Sequence, residues 1–166
     1  MRFEFSALNA AYGLYLQEIL GSLTNNQATA VNRKADSRTG NVYESFRFGT
    51  LVLPALQPFY DRFVQNKTRI IPSNIGDGFT EISLAFLMMN SGATPEWGGL
   101  MLNMDRYTAE EVTMFTEMLY DKFNLRGHIQ THARAQYRIR IKEADYGLLR
   151  HLVQRHLVEE KQYLVR

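Results

Sequence analysis

At 166 residues, with 45% apolar and 22% charged side chains, the chain has the proportions of one ordinary globular domain or two very small ones. It holds no cysteine, which excludes disulfides, thiolate metal sites and cysteine nucleophiles, and its longest apolar run, Ile82 to Met89, is about half of the roughly 18 residues a membrane span requires. Net charge is only +2, yet the stretch from Lys122 to Lys142 carries six Lys or Arg and no Asp or Glu, leaving 13 basic against 17 acidic residues elsewhere. Such asymmetry points to a polyanionic partner, and no membrane partner is expected.

Arg2 to Ser6 alternates, with Phe3 and Phe5 on one face, and predicts a short strand. The opening has an early acid and lacks the apolar block of a signal peptide. Asn9 to Leu20 repeats apolar residues at helical spacing. Gln27 to Thr50 reads as a hairpin whose extended arms flank the turn formers Asp36-Ser37-Arg38-Thr39-Gly40-Asn41. Leu51 to Val64 returns to helical period, with Pro54 in the first turn, where its missing N–H costs little. Lys67 to Asp77 is a loop.

Thr80 is placed to cap a helix from Glu81 to about Met89, stopped by Asn90-Ser91-Gly92. Trp97 to Met104 reads as a strand. Thr108 with Glu111 three residues on is a capping box opening a helix to Phe123. A second hairpin comes next, Arg126 to His132 and Gln136 to Lys142, then a helix from Glu143 to about His156 and a short extended tail, Glu159 to Arg166. The order is β-α-ββ-α, then α-β-α-ββ-α. It implies two related halves, residues 1–78 and 79–166, with the first incomplete.

The second hairpin is the most informative segment. One set of alternate positions reads Arg126, His128, Gln130, His132, Arg134, Gln136, Arg138, Arg140 and Lys142; the other reads Leu125, Gly127, Ile129, Thr131, Ala133, Ala135, Tyr137, Ile139 and Ile141. On a strand these sets point to opposite faces. One face is thus apolar and the other offers only donors and cations. A solvated outer face would normally mix in Glu and Thr. Arg and Gln suit base edges, and Arg and Lys neutralise phosphate, so this face is expected to bind nucleic acid. The first hairpin has a weaker version, with Arg33, Lys34, Arg38 and Arg47 against Asp36 and Glu44.

Several stretches resemble the LAGLIDADG homing endonucleases, in particular the branch encoded by organellar group I introns. FRFGTLVLPALQPFYDRF with RIIPSNI is similar to the passage from the first-half sheet to the second-half helix, and LAFLMMNSG stands where this branch usually has a sequence like LAYWIMDDG. GGLMLNMDRYTAEEVTMFTEMLYDKFNLRGHI is similar to the family's next strand, helix and strand. YRIRIKEADYGLLRHLVQRHLV resembles its closing strand and helix, EEKQYLVR suits its tail, and RFEFSALNAAYGLYLQEIL looks like the part just after the first catalytic helix. The resemblance implies an α+β fold: a saddle of antiparallel hairpins backed by helices, with both basic hairpins on the groove-facing sheets. It also implies two metal-binding aspartates, one at the end of each LAGLIDADG helix.

Here Asn90 and Ser91 replace the motif's acidic end, Ser91 taking the metal-binding position, and the sequence opens after the point where the first motif would lie. A neutral hydroxyl is a poor ligand for a hard divalent cation. The chain is therefore expected not to be a nuclease and to need no metal or other cofactor. Asp77 and Asp105 read as turn residues. His128 and His132 share a face but lack a carboxylate, so they read as polyanion contacts, and Trp97 as a strand-edge or core aromatic, with stacking on a base as the alternative.

Loss of cutting beside a retained basic face implies binding. Three roles compete: a structural RNA-binding component of an organellar ribosome, with a mitochondrion ahead of a chloroplast; a maturase-like cofactor of a group I intron; and a DNA binder, as repressor or as half of a two-chain endonuclease. An unrelated α+β interaction protein is the remaining alternative. Without the first helix, the flank of Glu81 to Met89, with Leu84, Phe86, Leu87 and Met88, is expected to be exposed and covered by a permanent protein or RNA partner.

Overall fold

The computed structural model describes residues 1–24, 27–31, 34–96, 98–132 and 136–166, the side chain of His132 excepted. Arg33, Trp97 and Arg134 lie outside the described residues. The chain forms two compact units, Met1–Gln57 and Pro58–Arg166.

In the first unit, β1 (Arg2–Ser6) and β2 (Thr29–Val31) pair antiparallel on either side of β3 (Ser45–Gly49). Helix α1 (Ala10–Leu20) packs on this sheet. The register sets Phe3 opposite Phe48 and Phe5 opposite Phe46. The Phe3 and Phe48 rings stack at 5.0 Å, giving the small unit an aromatic centre with buried Tyr12. Gly13 lets α1 approach, since a Cβ there would overlap the Phe5 ring. The turn formers do what their chemistry predicts. The Asp36 carboxylate accepts the Arg38 and Thr39 N–H groups at 2.9 Å each, the Thr39 bond contributing most, which holds its pKa below the ordinary carboxylate value.

Helix α2 (Gln57–Phe63) runs across the boundary into the second unit and is shorter than the helix expected from Leu51, although Pro54 does stand in a first turn, of a 3₁₀ segment. Next comes a two-residue hairpin, β4 (Val64–Gln65) with β5 (Thr68–Arg69), turning on Asn66 and Lys67 at positive φ. Thr80 caps α3 (Glu81–Ser91) and Thr108 caps α4 (Ala109–Phe123), both through capping boxes. Glu111 also accepts the Ile71 N–H at 2.9 Å, and the Lys122 ammonium donates to the Gly76 carbonyl. These bonds tie the segment holding Ile71 and Gly76 to α4.

The second sheet has the order β6-β7-β9-β8: β6 (Gly92–Ala93), β7 (Leu100–Asn103), β9 (Gln136–Ile141) and β8 (Gly127–His132), all antiparallel. Strand β7 begins later than Trp97 because Gly98 and Gly99 adopt positive φ and turn the chain close past Glu143 and the Ile141 carbonyl. Leu100, Leu102, Ile139 and Ile141 form the inner face, under Val112 and Leu119 of α4, Leu84 and Met88 of α3, and Leu149 and Val153 of α5 (Tyr146–Val153), all fully buried.

The structure corrects two further expectations. The tail is not extended: Glu159–Val165 is a 3₁₀ helix, held by Arg150 Nε to the Val165 carbonyl at 2.9 Å, with Leu164 and Val165 buried. Nor are Leu84 and Met88 exposed. Spaced one turn apart, they point into the second unit's own core, where α3 meets α5, β7 and the tail; Phe86 and Leu87 are half-buried, and Ile82 is the exposed apolar residue of α3.

Candidate nucleic-acid interface

The pairing of β7, β9 and β8 sets outward side chains in transverse rows, because directly opposed residues of antiparallel strands share a face. One row runs Met101, Arg140, His128; the next runs Asn103, Arg138, Gln130. The inward rows that alternate with them are Leu100, Ile141, Gly127 and Leu102, Ile139, Ile129. The alternation read from sequence is therefore the observed division between core and outer face. Cover on the core side thins toward the edge strand β8: Ile139 is fully buried, but Ile129, opposite it in the same row, is 40% exposed.

Among the described residues, Arg126, His128, Gln130, Gln136, Arg138, Arg140 and Lys142 all belong to this outer set. Arg126 immediately precedes β8 and Lys142 immediately follows β9. His132 lies opposite Gln136 in backbone register. The stems of Arg138 and Arg140 lie down on the sheet: their Nε atoms are buried and have no hydrogen-bond partner among the described residues. This is long-chain packing with the cationic end left for solvent or ligand.

Strand β7 contributes two outward residues that sequence reasoning missed, Met101 and Asn103. Their signal was present in the alternation of LMLN, but a four-residue strand without charge attracts no notice. Met101 is buried beside Arg140. Asn103 matters more. Its amide donates to the Ser91 carbonyl at 3.2 Å, so the row Asn103, Arg138, Gln130 begins at the C-terminal end of α3.

At that helix end, Asn90 Nδ2 donates to Ser91 Oγ at 3.2 Å. No carboxylate stands at either position, and among the described residues no group of three or more His, Cys, Asp or Glu could hold a metal ion. The donor set is an amide and a hydroxyl occupied with each other. It does not fit the divalent cation that the helix end implies by resemblance.

The first hairpin yields less than its composition promised. Arg47 projects from β3 in the row Glu4, Arg47, Thr29, so an acid accompanies it. Lys34 and Arg38 are exposed on the connection between β2 and β3 rather than on a strand. No helix among the described residues is long and apolar enough to cross a membrane.

A family model for the LAGLIDADG DNA endonuclease family matches residues 1–149. The chain belongs to that family. Its α+β fold of helices and antiparallel hairpins is the LAGLIDADG endonuclease fold: it is similar, with a TM-score of 0.91 and 26% identity, to the homing endonuclease I-WcaI bound to its DNA recognition sequence, over 99% of this chain and 74% of that one. It also matches the N-terminal LAGLIDADG domain of DUF199/WhiA, at 16% identity and a TM-score of 0.52, over 98% of this chain and 75% of that one. Full-length DUF199/WhiA from Thermatoga maritima matches at 13% and 0.54, over 98% and 50%. The two WhiA likenesses concern the fold alone.

Proposed function

We propose that this protein binds nucleic acid across the outward face of β7, β9 and β8 and does not cut it at the end of α3. The observation that carries the reading is the pair of rows Met101-Arg140-His128 and Asn103-Arg138-Gln130: cations and amides with no carboxylate, on the strand face opposite the helices. Arg138 and Arg140 neutralise phosphate, and Gln130, Gln136 and Asn103 offer paired donors and acceptors to base edges or to 2′-hydroxyls. The absence of cutting rests on Asn90 and Ser91, whose neutral oxygens replace the anionic ligands a phosphodiester-cleaving metal needs.

For the occupant we propose structured RNA, with ribosomal RNA of a mitochondrion first, a chloroplast second, and a group I intron RNA as the other member of the same class. A retained basic face beside a lost cleavage site supports permanent binding over search and cutting. Double-stranded DNA is the second reading, and a specific observation favours it: the 26% identical I-WcaI was solved on its DNA recognition sequence. In that reading the protein acts as a repressor or as one half of a two-chain endonuclease.

Sedimentation of the native protein from gently lysed cells or organelles, with and without ribonuclease, separates the two. Migration with a large particle and release by ribonuclease support structured RNA. Slow sedimentation unchanged by ribonuclease, together with retention on duplex DNA, replaces it with the DNA reading. Failure to bind either nucleic acid at low salt removes both.

A further inference from the structure

From Gln57 to Ile70 the sequence reads QPFYDRFVQNKTRI, with three aromatic rings, three cations and a single acid, Asp61. A short surface helix ordinarily turns its rings toward the core. On α2 they point out: Phe59 is 59% exposed, Tyr60 51% and Phe63 39%, and no residue of the helix is buried. At about 100° per residue, Phe59, Tyr60 and Phe63 fall on one side of α2. None of the three packs on another ring among the described residues.

The cations stand beside these rings. Arg62 braces Phe63: its guanidinium carbon lies 5.8 Å from the ring centroid, and its Nη2 donates to the Asn74 carbonyl at 2.9 Å. The hairpin β4–β5 then folds back on the helix end. The Ile70 N–H donates to the Phe63 carbonyl at 3.0 Å, and Arg69 pairs across the hairpin with Val64, the residue after Phe63. Lys67 occupies the second position of the turn, at φ 63°, where glycine is the ordinary choice. A lysine there carries backbone strain that a plain turn does not need, and strain of this kind gathers at functional positions. Lys67 and Arg69 are both exposed, and neither side chain has a partner among the described residues.

We infer that this surface binds unpaired nucleotides, with bases stacked on Phe59 and Tyr60 and phosphates set against Lys67 and Arg69. Rings beside cations are what single-stranded nucleic acid requires, because every base has a flat apolar face and every link an anion. A duplex keeps its base faces covered, so the surface selects single-stranded stretches such as the loops of a folded RNA. Charge and shape decide between occupants. A second copy would bring the same excess of three cations over one acid onto this one. Acidic side chains would answer the cations but leave the rings bare, whereas a nucleotide meets both. The inference rests on the nucleic-acid reading for the class of partner and not for the surface, since none of these residues belongs to β7, β9 or β8.

The test titrates the whole chain, by anisotropy, against a fluorescein-labelled oligouridine of about 12 nucleotides and a labelled duplex. Phe59→Ser/Tyr60→Ser should weaken oligouridine binding about tenfold or more and leave duplex binding within about twofold. Phe59→Tyr/Tyr60→Phe keeps both rings and should bind oligouridine as the parent does. Lys67→Gln/Arg69→Gln should make the oligouridine salt slope shallower by about 1.4, and this variant serves alone if circular dichroism shows the serine variant unfolded. Oligouridine that does not bind the parent, or binds every folded variant equally, overturns the inference. So does a dimer by sedimentation that the serine variant dissociates, which assigns the rings to a second copy. Arg138→Met/Arg140→Met separates the two readings: if it leaves duplex binding unchanged while the serine variant loses oligouridine, the sheet assignment fails and this one stands.

Discussion

Replacing Arg138 and Arg140 together with methionine removes two charges from the outward face while keeping most of each stem. The buried Nε atoms of both residues have no described hydrogen-bond partner, so little native structure is lost, and two unpaired buried donors disappear with the substitution. The melting temperature should stay within about 2 °C of the parent. Binding should not. If each guanidinium neutralises one phosphate of a duplex, the slope of log K against log salt becomes shallower by about 1.8. With the two lines converging near 1 M salt, affinity at about 0.1 M falls about sixtyfold. Filter binding of duplex DNA and of structured RNA between about 0.05 and 0.3 M salt reads both quantities. Parallel lines with unchanged slope would refute the assignment of this face.

Three further outcomes are expected. With magnesium and bound nucleic acid, neither the parent nor Ser91→Asp should nick the backbone, since one carboxylate beside Asn90 does not assemble a metal site; nicking by the unaltered protein, seen on a sequencing gel, would overturn the reading of α3. Leu84→Ala should cost the second unit about 3 kcal/mol, because Leu84 is fully buried among α3, α5 and β7, and hydrogen exchange of the β7 and β9 amides measures it. Tyr12 is pushed up to about 12, chiefly by burial and secondarily by the nearby Tyr15 phenol. Above about pH 10 the unfolded chain releases that proton while the native state holds it. Stability is thus fully present below about pH 10 and falls between about pH 10 and 12, by up to about 1.4 kcal/mol per pH unit. Urea denaturation at about pH 9 and 11 should show a smaller alkaline loss in Tyr12→Phe, and an identical loss would contradict the burial argument.

What the sequence made legible rests on short-range physics. The cap at Thr80, the capping box at Thr108 and the stop of α4 at Phe123 are local hydrogen-bond chemistry, and they stand as read. The two faces of β8 and β9 come from alternation, which survives in a sheet buried on one side. The failures depended on tertiary context. Leu84 and Met88 carry no mark that separates an internal core from an interface, and only the docking of α5 and the tail against α3 shows which they are. The tail read as extended because eight residues hold too little periodicity to reveal a 3₁₀ helix anchored by Arg150. Asn103 was missed for a related reason. Its role comes from a contact with Ser91 twelve residues away, which no strand pattern announces.

The most direct test of the central claim is ultraviolet crosslinking of the native protein to whatever nucleic acid it holds, followed by nuclease digestion and peptide mass spectrometry. Nucleotide adducts are expected within residues 126–142 and at β7, on the face that carries Asn103, His128, Gln130, Arg138 and Arg140. Adducts confined to α4, α5 or the tail, or none at all while the protein is intact and folded, would contradict it.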